Sequence, residues 1–323
     1  MRRPAYVTSG RYAPPAARRD LVAVSADGAR LHVEVHGDED APPVVLSHGW
    51  TCSTAFWAAQ VRDLAEDHRV IAYDQRGHGR TPAGRWYTTG ALADDLVAVL
   101  EATVAPGERA VVAGHSMGGM TIMAAAGRAG FTEHVAAALL CSTGSARLVA
   151  EALVLPVRAG RARTRITGAI LGSRAPLGPV TPLGKRVLRY ATMGPRATAD
   201  QIEACARIVH GCPTAVRHAW SQVLAGLDLE ANLAALTVPT AVIGGTADRL
   251  TPMSHARALA AALPDCAGLT ELPGAGHMTP IEAPEAVTRV IRELTARLPA
   301  ARRPVTAPLD TTPLDTTPKE KTP

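Results

Sequence analysis

The chain reads as an α/β protein: a mostly parallel, twisted sheet with helices on both faces and an inserted helical cap. Three observations carry that expectation. From Leu21 onward, short runs rich in branched aliphatic residues alternate with helical patterns, as in strand–helix–strand units. The runs are continuously apolar rather than alternating, which suits strands buried on both faces. The alternation then fails between about Ser145 and Leu236, where helical segments broken by Gly and Pro follow one another without a strand. An interruption of that length is too long for a plain loop.

The elements follow in order. Residues 21–25 and 31–35, either side of Asp27-Gly28, form an expected opening hairpin. Further strands are expected at 43–47, 69–74, 110–113, 135–141, 240–243 and 269–272, and helices at 53–66, 92–101, 116–128, 255–263 and 284–298. Pro284 stands as a first-turn proline of the last helix. The chain thus divides into a basic N-terminal extension (1–20), a core in two pieces (21–144 and 237–299), the helical cap (145–236) and a tail (300–323). In the tail, Pro308-Leu309-Asp310-Thr311-Thr312 is repeated at 313–317, a composition expected to be disordered.

Composition narrows the class. A chain of 323 residues with 47% apolar residues and a mean hydropathy of +0.05 can bury a substantial core. No run reaches the roughly 20 apolar residues of a membrane-spanning helix. The N-terminus is basic without an apolar centre, unlike a secretory signal, so the cytoplasm is the expected compartment. Five scattered cysteines fit reduced thiols. Cys205, His210, Cys212 and His218 lie near one another but match neither paired-Cys nor paired-His spacing, so no metal is expected. The net charge of +5 is uneven: residues 145–222 hold twelve Arg/Lys against three Asp/Glu, on an otherwise acidic body. Such an insert could draw in anionic substrates or make weak contact with anionic lipid, although solvated helix faces are the plainer reading. With only 3% aromatic residues and no basic–aromatic interleaving, no nucleic-acid partner is expected.

The chemistry centres on Gly114-His115-Ser116-Met117-Gly118, directly after the run 110–113. Glycines two places either side let a serine sit on a sharp strand-to-helix turn with its hydroxyl clear of the backbone. A serine hydroxyl is a poor nucleophile alone and needs a histidine to take its proton and a carboxylate to orient that histidine. His277 lies in a glycine-rich loop, Pro273-Gly274-Ala275-Gly276-His277, after the last strand, where open α/β sheets place their sites. His255, on a helix, is the weaker candidate. Asp248 follows the strand at 240–243, while Ser142-Thr143-Gly144, after the preceding strand, offers no carboxylate. Asp248 could instead cap the next helix. Oxyanion donors are expected from the backbone N–H groups of Met117 and of Trp50, which follows Ser47-His48-Gly49.

Over roughly residues 21–298, these pieces together resemble the α/β-hydrolase superfamily. The matching stretches are His48-Gly49, Asp74-Gln75-Arg76-Gly77-His78-Gly79-Arg80-Thr81, Ser116 in its turn, and the Asp248 and His277 loops. The resemblance implies that the stretch from Asp74 is a structural turn, so Asp74, Arg76 and His78 are left out of the catalytic set. It disfavours dehalogenases and epoxide hydrolases, which place aspartate where Ser116 stands; the latter also use a tyrosine pair where the cap holds only Tyr190. The expectation is a serine esterase or lipase-like enzyme acting on a small, hydrophobic acyl ester without metal or organic cofactor. Met117 is shared with cofactor-free perhydrolases and carbon–carbon bond hydrolases, which stay open as alternatives, as does a ligand receptor on the same fold.

Overall fold

The computed structural model describes residues 6–158 and 160–297; the tail at 300–323 and the end of the helix expected to reach 298 lie outside them. Eight strands form one sheet in the order β1-β2-β4-β3-β5-β6-β7-β8. They are β1 (Arg19–Val24), β2 (Arg30–His36), β3 (Pro43–Ser47), β4 (Arg69–Tyr73), β5 (Ala110–His115), β6 (Val135–Cys141), β7 (Thr240–Gly245) and β8 (Cys266–Leu272). The opening hairpin makes β2 antiparallel to both β1 and β4, and every later pairing is parallel.

Twelve α-helices are described: α1 (Ala58–Leu64), α2 (Thr89–Thr103), α3 (Met117–Ala125), α4 (Ala129–His134), α5 (Leu148–Glu151), α6 (Arg161–Leu171), α7 (Pro182–Thr192), α8 (Ala199–His210), α9 (Thr214–Ala225), α10 (Met253–Ala262), α11 (Thr279–Glu282) and α12 (Pro284–Ala296). Two expectations need correcting. The helix expected at 53–66 opens as a 3-10 turn, Thr54–Trp57, before α1. The helix expected at 116–128 stops at Ala125, and α4 resumes at Ala129 after an extended Arg128.

The continuously apolar strands serve two cores. Val44 and Leu46 of β3 and Val111 and Ala113 of β5 face α1 and α12, whereas Val45 and Val112 face α2 and α3. All six are fully buried, and burying one such side chain stabilises the fold by about 1.5–3 kcal/mol. Because β3 to β8 run parallel, Ser47, His115, Cys141, Gly245 and Leu272 all end at one edge of the sheet, and the loops after them converge there. Helices α5 to α9 lie between β6 and β7. Their excursion is closed at its base by a bridge between Ala146 and Asp228 and by Leu229 N–H donating to the Ser145 carbonyl at 2.7 Å.

Candidate active site

Ser116 occupies the turn between β5 and α3 with φ +51° and ψ −114°, a strained conformation for a residue with a side chain. The flanking glycines are required by contact: a Cβ at Gly118 would lie 2.0 Å from the Ser47 carbonyl oxygen, and one at Gly114 would lie 2.4 Å from the Gly118 backbone. Ser116 is half-buried, and its hydroxyl makes no protein hydrogen bond among the described residues. The Ser47–Trp50 loop lies against it, since a Cβ at Gly49 would come within 3.2 Å of Ser116 Cβ. The backbone N–H groups of Trp50 and Met117 have no acceptor among the described residues. The Trp50 indole N–H donates to the Arg217 carbonyl at 3.0 Å and so ties this loop to α9.

Asp248 and His277 are brought together. His277 Nδ1–H donates to Asp248 Oδ2 at 2.9 Å, and both side chains are buried. That bond sets the tautomer and leaves Nε2 as the acceptor nitrogen. Asp248 Oδ1 accepts the N–H groups of Leu250 and Thr251 at 2.8 and 2.9 Å. The helix-capping role weighed for Asp248 is not the one it has, since the next helix, α10, begins behind Pro252 with no side-chain cap bond. One Asp248 oxygen shapes the turn before that helix and the other holds the imidazole.

Three residues around this pair were not singled out from sequence. The Thr251 hydroxyl donates to Asp248 Oδ2 at 2.8 Å and lies 3.2 Å from His277 Nδ1; its place three residues after an aspartate was the available signal. Glu282 accepts the N–H groups of Gly194, Gly276 and Met278, binding the His277 loop to the turn after α7. Burial raises its carboxyl despite those donors. His115 Nε2–H donates to the His277 carbonyl at 2.8 Å, with the two rings 4.9 Å apart between centroids. Burial, reinforced by His277, holds the His115 imidazole well below its ordinary pKa.

The stretch from Asp74 braces the site from the other side. Asp74 accepts Thr54 and Arg80 N–H groups, each at 2.8 Å, and burial pushes its carboxyl up to about 6. His48 Nε2 accepts the Gln75 N–H at 3.0 Å, and His78 Nε2 accepts the Thr51 N–H at 3.2 Å. Thr51 needs that restraint, because φ +64° is costly for a β-branched residue. Burial lowers His78 to about 4 and holds His48 well below its ordinary value, so both stay neutral acceptors near pH 7. Arg76, fully buried, meets Asp95 through two nitrogens and Asp27 through a third contact. Trp220 N–H donates to its carbonyl.

The remaining candidates lie elsewhere. His255 faces Glu151, with Nε2 at 3.3 Å from its carboxylate. Ser142 and Thr143 bond Thr279 and the Ser116 carbonyl. His210 and His218 bond backbone carbonyls of Ala206 and Gly172. Among the described residues the group whose ligand atoms converge is instead Asp20, His32 and Glu34, where the Arg80 guanidinium already lies 2.8 Å from Asp20.

Residues 44–290 match the sequence model of the alpha/beta hydrolase family. The chain belongs to that family. Over 275 residues it is 32% identical to a Variovorax paradoxus protein that bears the name carbamate hydrolase RutD, covering 84% of this chain and 97% of that protein. Among solved structures of the alpha/beta hydrolase family it is similar to the esterase RhEst1 from Rhodococcus sp. ECU1013, with a TM-score of 0.72 and 26% identity, covering 87% of this chain and 99% of that one. The enol-lactonase from Burkholderia xenovorans LB400 superposes with a TM-score of 0.66 and 26% identity, covering 85% of this chain and all (100%) of the enzyme. Membership of that family supports hydrolase activity for this chain, and no helix among the described residues is long and apolar enough to cross a membrane.

Proposed function

We propose that the protein hydrolyses carboxylic esters of small, hydrophobic acyl groups through Ser116, His277 and Asp248. The observation that carries this reading is the buried Asp248–His277 pair on the same sheet edge as a serine held in a strained turn. Ser116 Oγ attacks the ester carbonyl while His277 Nε2 takes its proton. Asp248 keeps the proton of Nδ1 in place and stabilises the imidazolium. The unpartnered N–H groups of Trp50 and Met117 receive the tetrahedral oxyanion, each such donor being worth about 3 kcal/mol to the transition state. His277 then protonates the leaving alcohol, and water repeats the cycle on the acyl-enzyme. No metal or organic cofactor enters the cycle. On this reading the hydrogen bond between Ser116 and His277, not made in the substrate-free chain, forms when substrate is bound, since catalytic hydrogen bonds commonly tighten only then.

On this reading residues 145–236 cap the site. Support comes from the bonds between the excursion and the proposed machinery: Thr192 carbonyl accepts His277 N–H at 2.8 Å, and Leu153 N–H donates to the carbonyl of Arg249, next to Asp248. The likeness to a protein named for carbamate hydrolysis makes carbamates the first substrates to try beside esters, since both present an acyl carbonyl to the same nucleophile. The test is turnover of p-nitrophenyl esters and labelling by a fluorophosphonate. Wild type should do both and Ser116→Ala neither; full activity in that variant would overturn the mechanism.

A further inference from the structure

Helices α6 and α7 turn the wrong side outward for a globular protein. Among the described residues, eight of the eleven large hydrophobic side chains left exposed lie between residues 153 and 190. They are arranged in stripes. On α6, Ile166 and Ile170, four residues apart and so on one face, are 51% and 50% exposed. On α7, Leu183, Val187 and Tyr190 share a face by the same spacing, and the first two are 70% and 61% exposed. The buried sides of both helices are sparse: Arg163 and Thr167 on α6 and Thr192 on α7.

Beside these stripes lie cations without counter-ions. Residues 152–199 hold eight arginines, one lysine and no acidic residue. The lysine, Lys185, pairs with Glu203, while Arg163, Arg189 and Arg196 bond backbone carbonyls. Arg158, Arg161, Arg165, Arg174 and Arg186 are exposed and have neither a carboxylate nor a carbonyl partner among the described residues. Arg161 and Arg165 are on the exposed arc of α6 next to Ile166, and Arg186 is on that of α7 next to Val187. A water-exposed stripe of aliphatic groups edged by unpaired guanidinium groups is the composition of a helix lying at a membrane interface, its apolar side chains below the headgroups and its cations among the phosphates. Guanidinium matches phosphate oxygens in a two-pronged fashion, which an ammonium cannot.

We propose that α6 and α7 form a docking surface for an anionic phospholipid membrane. The surface adjoins the candidate site: Leu153 and Tyr190 meet at Arg249, whose guanidinium stacks over the Tyr190 ring at 4.5 Å and donates to the Tyr190 carbonyl. Acyl substrates carried in the bilayer would therefore be delivered beside Asp248. The docking itself stands on the helix faces and does not depend on the proposed ester chemistry.

The test is sedimentation of the full chain with vesicles of phosphatidylcholine alone or with 30% phosphatidylglycerol, at low and high salt. Wild type and Ser116→Ala should bind the anionic vesicles alike, at least ~10-fold more tightly than the neutral ones, and should be released by salt because exposed charges are screened beyond about 10 Å at 0.1 M. The variant R161E/R165E/R186E should lose that preference, and L183S/V187S should weaken binding while keeping the folded circular-dichroism spectrum. Equal binding to both vesicle types, binding to neither, or binding unchanged in both variants would overturn the proposal. So would a concentration-dependent dimer in ultracentrifugation that L183S/V187S abolishes, which would assign the faces to a second copy of the chain.

Discussion

The loops at the strand ends and the helices that follow β6 are built on opposite terms. Around His277, side chains from distant parts of the chain converge: Asp248 and Thr251 meet at its Nδ1, His115 donates to its carbonyl and Glu282 accepts from the N–H of Gly276, and all but Glu282 are buried. Along α6 and α7, Ile166, Ile170, Leu183 and Val187 are exposed beside Arg161, Arg165 and Arg186, which have no partner among the described residues. The first region is over-determined, which suits the proposed active site, where reacting groups would be placed before substrate arrives. The second is packed on one side only, and the proposed membrane would meet the other. Fixed geometry and open specificity are thereby assigned to separate stretches of one chain.

The largest expected effect lies in the over-determined region. Asp248→Asn keeps an oxygen for the Leu250 and Thr251 N–H groups but offers His277 Nδ1 an amide in place of an acceptor. The favoured tautomer changes, and kcat on a p-nitrophenyl ester should fall by about 10⁴-fold. The folded state should be largely retained, as thermal denaturation would report. A fall of less than tenfold would mean that Asp248 serves only the turn and does not orient His277 for turnover.

That dual role also marks how far the sequence could be read. The strands were legible because continuous apolar runs leave few alternatives, and Ser116, Asp248 and His277 because each follows such a run in a loop rich in small residues. Strand ends converge only in a parallel sheet, so once the sheet was inferred the three loops had to meet. Thr251, Glu282 and His115 were not legible, since their contacts depend on backbone directions in loops that no periodicity reports. The 3-10 opening before α1 is hidden because Thr54–Trp57 is as apolar as the helix it precedes, whereas the break before α4 does carry a signal, Gly127-Arg128 after an apolar run. In α6 and α7 the cations were visible in the sequence, but only the fold reveals that the apolar stripe between them faces outward.

A smaller effect should be read in the pH dependence of stability. His78 titrates near 4 in the folded chain against 6.5 when exposed, so between those values the unfolded state binds the extra proton. Stability from this group is complete above pH 6.5 and is lost as pH falls toward 4, at up to about 1.4 kcal/mol per pH unit. Asp74, pushed up to about 6, contributes with the opposite sign over part of that window, so the total slope does not isolate His78. The difference between wild type and His78→Gln does. Urea unfolding at pH 7, 6 and 5 should show the variant less stable at pH 7 and the gap closing in acid. A gap independent of pH would mean that His78 is not held neutral against the Thr51 N–H.

The smallest effect is expected where the surface looks most hydrophobic. Ile166→Ser and Val187→Ser remove aliphatic groups that are already more than half in water, leave no cavity, and exchange residues of similar helix propensity. Each should change the free energy of unfolding by less than about 0.5 kcal/mol. Ile71→Ala in the fully buried β4 should cost about 2–5 kcal/mol in the same assay. The contrast separates apolar residues that hold the fold from those that do not. A loss near the Ile71→Ala value at either helix position would show that its face is covered within the folded chain. The side chains of α6 and α7 would then be part of a core, and no outside surface would be needed to explain them.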